Sequence, residues 1–210
     1  MENIYYSSAA AITELIFTHP IDYYKTLKQN NIKNVKNIIL NNPYRGVSSR
    51  LIGILPMRIS FWTSLDYLKN NKYNPLIIPL LTSTIQTIFD IPIEQLKINL
   101  MNRKKYNYIP KNFLKGGMFH YQRNILFTYG FYFGTNYIDN PFIGGLTGGL
   151  IGATISHPLD SLKTFYQSGN NNPKISKEFL LRGIIPRTSI SIISMSIGYG
   201  SFIFFKNLFS

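Results

Sequence analysis

Three stretches of this chain align without gaps, and that repetition constrains the fold more than any other feature. They are Thr18-His19-Pro20-Ile21-Asp22-Tyr23-Tyr24-Lys25, Asp90-Ile91-Pro92-Ile93-Glu94-Gln95-Leu96-Lys97 and Ser156-His157-Pro158-Leu159-Asp160-Ser161-Leu162-Lys163. Each contains Pro-x-acid-x-x-Lys, with the prolines 72 and 66 residues apart. One such hexapeptide is weak evidence; three at near-regular spacing, each after an apolar stretch, mark an internal repeat. A second element recurs downstream. Tyr44-Arg45-Gly46, Leu114-Lys115-Gly116 and Leu181-Arg182-Gly183 each read bulky-basic-Gly, 26, 24 and 25 residues after the motif proline. Each repeat therefore holds two hydrophobic segments, one ending at the Pro motif and one starting at the Gly.

The six segments fall at about 4–29, 46–70, 75–102, 114–137, 141–168 and 182–208. At 1.5 Å rise per residue, ~20 helical residues cross a hydrocarbon core of ~30 Å, so each is long enough to span it with tilt. The expected fold is an all-α membrane protein: six transmembrane helices in three pseudo-symmetric repeats, 1–72, 73–139 and 140–210, forming one domain. The mean hydropathy is only −0.01, low for helices bathed in lipid on every side. A charge near the bilayer centre costs ~2.5–3.5 kcal/mol on insertion scales, so polar side chains within the spans must face an interior. A soluble protein of Pro-broken amphipathic helices is the competing reading.

Composition closes other routes. Cys is absent, which excludes a disulfide scaffold, a Cys zinc site and a catalytic thiol. Lys and Arg number 22 against 9 Asp and Glu, a net charge of +13, which suggests nucleic acid or anionic lipid as partners. Six apolar spans argue against nucleic acid. Met1-Glu2-Asn3 offers no basic region of the kind that opens a cleavable signal. His19 and His157 each precede a motif proline, a recurrence that points to packing, and no metal or cofactor is expected. No nucleophile-base-orienter set is present, so no enzyme is expected. The glycines Gly144, Gly145, Gly148, Gly149 and Gly152 overlay as small-xxx-small pairs that let helix backbones approach in lipid; Ser7, Ala10 and Ala11 are a weaker version. The loops after the Pro motifs carry most of the Lys and Arg, which sets them in the inner compartment and both termini in the other.

Three copies of Pro-x-acid-x-x-Lys, each followed by basic-Gly and a second hydrophobic helix, resemble the mitochondrial carrier family over nearly the whole chain. The resemblance implies a six-helix, pseudo-threefold barrel. It implies alternating access across the mitochondrial inner membrane, with the termini on the cytosolic (intermembrane) side, in a monomer that meets membrane lipid such as cardiolipin. The repeats are markedly shorter than the family's usual ones. The first inner loop keeps an apolar patch, Val35 with Ile38, Ile39 and Leu40, while the second and third leave little room for a surface helix.

Positions three apart share a helix face, so Asp22, Glu94 and Asp160 point with Lys25, Lys97 and Lys163. Pro20, Pro92 and Pro158 remove a backbone hydrogen bond and kink their helices, bringing the charges into one neutral ring, with Gln29 and Gln167 placed to brace it. As in the family, this ring reads as the matrix-side gate. The outer counterpart is poorer: Asp66 and Lys69, then Asn136 and Asp139, then Ile203 and Lys206. The matrix ring is therefore expected to dominate, leaving the resting state open outward.

Aligning the even segments on Gly46, Gly116 and Gly183 places Arg50, His120 and Arg187 at plus 4. It places Gly53, Arg123 and Ile190 at plus 7, Ile54, Asn124 and Ser191 at plus 8, and Arg58, Thr128 and Met195 at plus 12. The family's plus-7 and plus-8 positions contact substrate. Arg123, with a planar fork suited to carboxylate or phosphate, heads the candidates, and Arg50, Arg58 and Arg187 add positive potential. The expected solute is anionic, a nucleotide first, moved by exchange. A carboxylate or S-adenosylmethionine-like solute is the alternative, as is a carrier-fold protein that no longer transports.

Overall fold

A computed structural model describes residues 2–29, 40–44, 47–101, 117–167, 176–181 and 183–209, with the backbone alone at 22, 24–29, 49, 94–101 and 164–167. The described residues are all-helical. The long helices are α1 (Glu2–Gln29), α2 (Val47–Asn70), α3 (Ile77–Met101), α4 (Gly117–Thr135), α5 (Pro141–Gln167) and α7 (Ile184–Phe209), and α6 (Lys177–Leu181) is a short one before the last. Each long helix corresponds to one hydrophobic segment of the repeats. The second helix of every repeat begins at the residue after its glycine, and α1, α3 and α5 run unbroken through Pro20, Pro92 and Pro158. The short α6 lies in the third inner loop, where the sequence left little room for a surface helix. Ser176 caps it through Oγ to the Phe179 amide (3.1 Å), and Ser161 of α5 donates to the Leu180 carbonyl (3.3 Å).

The long helices form a closed ring in chain order. Each packs on its sequence neighbours, and α7 returns to α1. The closing contact joins the chain ends: the Tyr6 hydroxyl donates to the Phe209 carbonyl (3.3 Å). Short turns set the alternation of direction. The Asn140 side chain accepts from the first amides of α5, while the Asn74 side chain accepts from Leu76 just ahead of α3 and its carbonyl from Ile77 and Ile78, satisfying donors that a helix start leaves open. Pro141 follows Asn140 at the first helical position, where its missing N–H costs nothing.

Helix α5 is where the ring is tightest. A Cβ on Gly130 of α4 would lie 2.7 Å from the Gly152 Cα, and one on Gly134 would lie 2.8 Å from the Gly148 Cα. On its other face Gly149 meets the Ser191 carbonyl of α7 (2.8 Å to a built Cβ). The glycine stripe is thus spent on two backbone-to-backbone contacts.

Burial is inverted relative to a water-soluble domain. Buried polar and charged side chains outnumber buried apolar ones, while isoleucines, leucines and phenylalanines such as Phe17, Ile52, Ile88 and Ile155 stand more than 40% exposed on the outside. This inversion explains the low hydropathy of most helices. Among the described residues, one stretch, Lys177–Phe209, is long and apolar enough to cross a membrane by composition alone, and Ile77–Ile93 is a shorter apolar helix. The other helices dilute an apolar outer face with an inward polar one. The largest buried apolar group is aromatic and sits inside the ring toward the termini. Trp62 and Phe61 of α2, Phe131 of α4 and Phe202 of α7 are at most 2% exposed. Their rings meet edge-on or stacked at 4.7–5.9 Å together with Tyr199, each pair worth ~0.5–1.5 kcal/mol beyond area burial.

Candidate functional site

The candidate site is a series of polar contacts inside the ring. At the terminus end, Asp66 of α2 pairs with Lys206 of α7 (2.6 Å) and accepts from Asn3 and Asn70 (2.9 Å each). Lys69, one turn further on, lies over the rings of Tyr132 (4.9 Å) and Tyr199 (5.9 Å). The residues expected at the outer gate make these contacts. The acid from repeat one and the lysine from repeat three find each other across the closure. The remaining lysine uses aromatic faces, a stable alternative for a desolvated cation. Asp139 takes no part: α4 ends at Thr135, and Asp139 is exposed in the turn that leads to the Asn140-Pro141 start of α5. The Asp66–Lys206 pair and the aromatic layer occupy this end of the ring.

Below the aromatic layer lies a buried carboxylate that the sequence reading did not single out, Glu14 of α1, 1% exposed. Its Oε1 accepts from Arg58 Nη2 (2.5 Å) and from Ser194 Oγ of α7, and Arg58 also donates to Ser194 (2.8 Å). An acid in mid-span of an otherwise apolar helix was the available signal.

Further in, Arg123 of α4 reaches Asp160 of α5 (3.3 Å), and Arg187 of α7 reaches the other oxygen of Asp160 (2.9 Å). Arg123 also donates through Nε to Asn124 Oδ1 (3.2 Å). Asn124 is itself buried, its amide donating to Thr87 Oγ1 (2.9 Å) and Asp90 Oδ2 (3.1 Å) of α3. The plus-4 residues make one repeated contact. Each turns to the residue two before the motif proline of its own repeat: Arg50 to Thr18 (3.4 Å), His120 to Asp90 (3.5 Å) and Arg187 to Ser156 (2.9 Å).

Arg58, Arg123 and Arg187 are each ion-paired, because a buried guanidinium without a partner is costly, and Arg123 and Arg187 share the one carboxylate of Asp160. Ser191 donates to the Gly149 carbonyl (3.3 Å) and so packs α7 on α5. Gly53 faces Ile93 of α3, with 3.5 Å from a built Cβ to its Cγ2. Ile54 and Ile190 are partly buried. Of the expected matrix ring, Asp160 and the buried, partnered Lys163 are described. The side chains of Asp22, Lys25, Glu94, Lys97, Gln29 and Gln167 lie outside the described residues, as does the patch from Val35 to Ile39. His19 stacks against Tyr23 and Tyr44 (6.2 and 6.1 Å), a packing role. Among the described residues no group of three His, Asp or Glu is placed to hold a metal.

No protein-family model matches the sequence, and neither a curated protein nor a solved structure matches the chain.

Proposed function

We propose that this protein is a membrane solute carrier of the mitochondrial-carrier type. It works by alternating access in the mitochondrial inner membrane, with its termini toward the intermembrane space. The observation that carries this reading is the closed ring of long helices in chain order, polar within and apolar without, built from three copies of the Pro-x-acid-x-x-Lys segment. In such a ring the outer surface meets lipid, and charges in the wall of a central path are tolerated because they pair with one another.

The solute is an anionic metabolite, and Arg123 is its first contact. Asp160 now occupies the Arg123 fork from α5 while belonging to the motif that builds the matrix-side ring. An incoming phosphate or carboxylate takes the place of the Asp160 carboxylate on Arg123 and leaves Asp160 to Arg187 alone. The bound and empty states thus differ in their pairing, and a ligand-driven conformational change requires such a difference. A nucleotide suits the fork together with Phe127, which packs against Phe131 of the aromatic layer (6.4 Å). The acids inside the ring also favour a second reading, a solute with both an acid and a cationic group, because Glu14 and Asp160 stand beside the arginines.

The test is uptake by the full chain in proteoliposomes, with labelled ATP, succinate and S-adenosylmethionine as probes. Uptake of one probe that Arg123→Ala abolishes supports the reading. A folded protein that moves none of them points to the non-transporting alternative.

A further inference from the structure

The contact shared by the three repeats is made with fixed charge twice and with titratable groups once. Thr18–Arg50 and Ser156–Arg187 each set a hydroxyl against a guanidinium that never deprotonates. Asp90–His120 sets a carboxylate against an imidazole, at 0% and 1% exposure. Both members differ together. An arginine beside Asp90 would lock the pair in one charge state, whereas histidine is the side chain whose ordinary titration falls between pH 5 and 8. This pair is more enclosed than its counterparts, whose arginines are partly exposed, and a proton is the one ligand that needs no room.

We propose that Asp90 and His120 hold one exchangeable proton that crosses with the solute, making the protein a proton-coupled anion carrier; this rests on the carrier reading above. In the loaded state the imidazolium faces the carboxylate, and in the empty state the imidazole is neutral. The proton comes from water on the side to which the interior is open and leaves to water on the other. One N–H bond forms and breaks, with no change of oxidation state.

The wiring to the solute is short. Asp90 Oδ2 accepts from Asn124, whose Oδ1 accepts from Arg123. Three contacts in line, Arg123–Asn124, Asn124–Asp90 and Asp90–His120, join the anion's contact to the proton's, and any effect of one on the other is reciprocal by linkage. The charged groups on the elements packed around the pair include the buried Lys163 of α5. Behind Arg123 on α5 stands Asp160. On α2, Arg50 turns to Thr18 and Arg58 to Glu14. On α3 itself, Glu94 and Lys97 follow one and two turns after Asp90 in the sequence.

Two measurements on the full chain decide the matter. The first needs no solute: 15N-histidine NMR in detergent micelles, with His120→Arg assigning the signals. His120 is expected to pass between its protonation states across pH 5 to 8. A His120 that keeps one state throughout overturns the proposal. The second uses pyranine-loaded proteoliposomes with ATP or succinate outside. Wild-type protein is expected to acidify the lumen as solute enters. Asp90→Ser/His120→Arg, which copies the pair of the third repeat, is expected to acidify the lumen less for each solute molecule moved. Solute entry without acidification in the wild type overturns the coupling and leaves the carrier reading standing. Entry of neither solute counts against the carrier reading and takes the coupling with it, while the NMR result still decides whether the pair binds a proton.

Discussion

At the scale of single residues, the interior follows one rule: a charge removed from water is kept only with a partner. Glu14 and Arg58 show it most directly, at 1% and 14% side-chain exposure and 2.5 Å apart. Arg58→Met strands the carboxylate and is expected to destabilise the protein by on the order of 3–5 kcal/mol, whereas Glu14→Gln/Arg58→Met recovers most of that loss. Thermal unfolding of the three proteins in detergent checks this, and a double variant no more stable than the single one would contradict it. Arg58 was legible in the sequence as the plus-12 position, but its partner was not. Glu14 belongs to no repeat motif, and nothing in a linear sequence says which helix faces which across a ring. The same gap hid the pairing of Asp66 with Lys206. Counted by repeat they look like fragments of incomplete gates, yet a ring that returns α7 to α1 brings repeat three beside repeat one.

At the scale of helices and their contacts, glycine spacing and turn residues were legible because their physics is local. Small residues at intervals of four permit close backbones, and Asn140 followed by Pro141 caps and opens α5. The consequence is a contrast between two glycines. Gly145 packs directly on the Met195 carbonyl of α7, so Gly145→Val is expected to prevent a monodisperse folded protein. Gly53 has ordinary van der Waals room toward Ile93, so Gly53→Ala is expected to fold with wild-type stability within about 0.5 kcal/mol. Size-exclusion profiles and thermal unfolding distinguish them. The packing at the terminus end can be read from the protein's one tryptophan, Trp62, at 0% exposure. Lys206→Met removes the partner of Asp66, and acrylamide quenching of Trp62 is expected to rise. Quenching equal to wild type would mean that the aromatic layer alone closes this end.

At the scale of the whole molecule, six hydrophobic segments were legible in the sequence, and the long helices among the described residues match them closely. Hydropathy alone would have missed most of them, since one stretch passes on composition. The polar residues that lower it are the ones the ring turns inward. The central claim is therefore geometric: the ring spans a bilayer, and its apolar exterior faces lipid. The absence of cysteine makes the native chain a ready background for single-cysteine labelling in sealed proteoliposomes with a membrane-impermeant maleimide. Tyr137→Cys, in the turn between α4 and α5, and Glu178→Cys, on α6, are expected to react from opposite sides of the membrane. Ile88→Cys, 65% exposed in the middle of α3, is expected to stay unlabelled from either side until detergent is added. Rapid labelling of Ile88→Cys, or reaction of Tyr137→Cys and Glu178→Cys from the same side, would contradict the account.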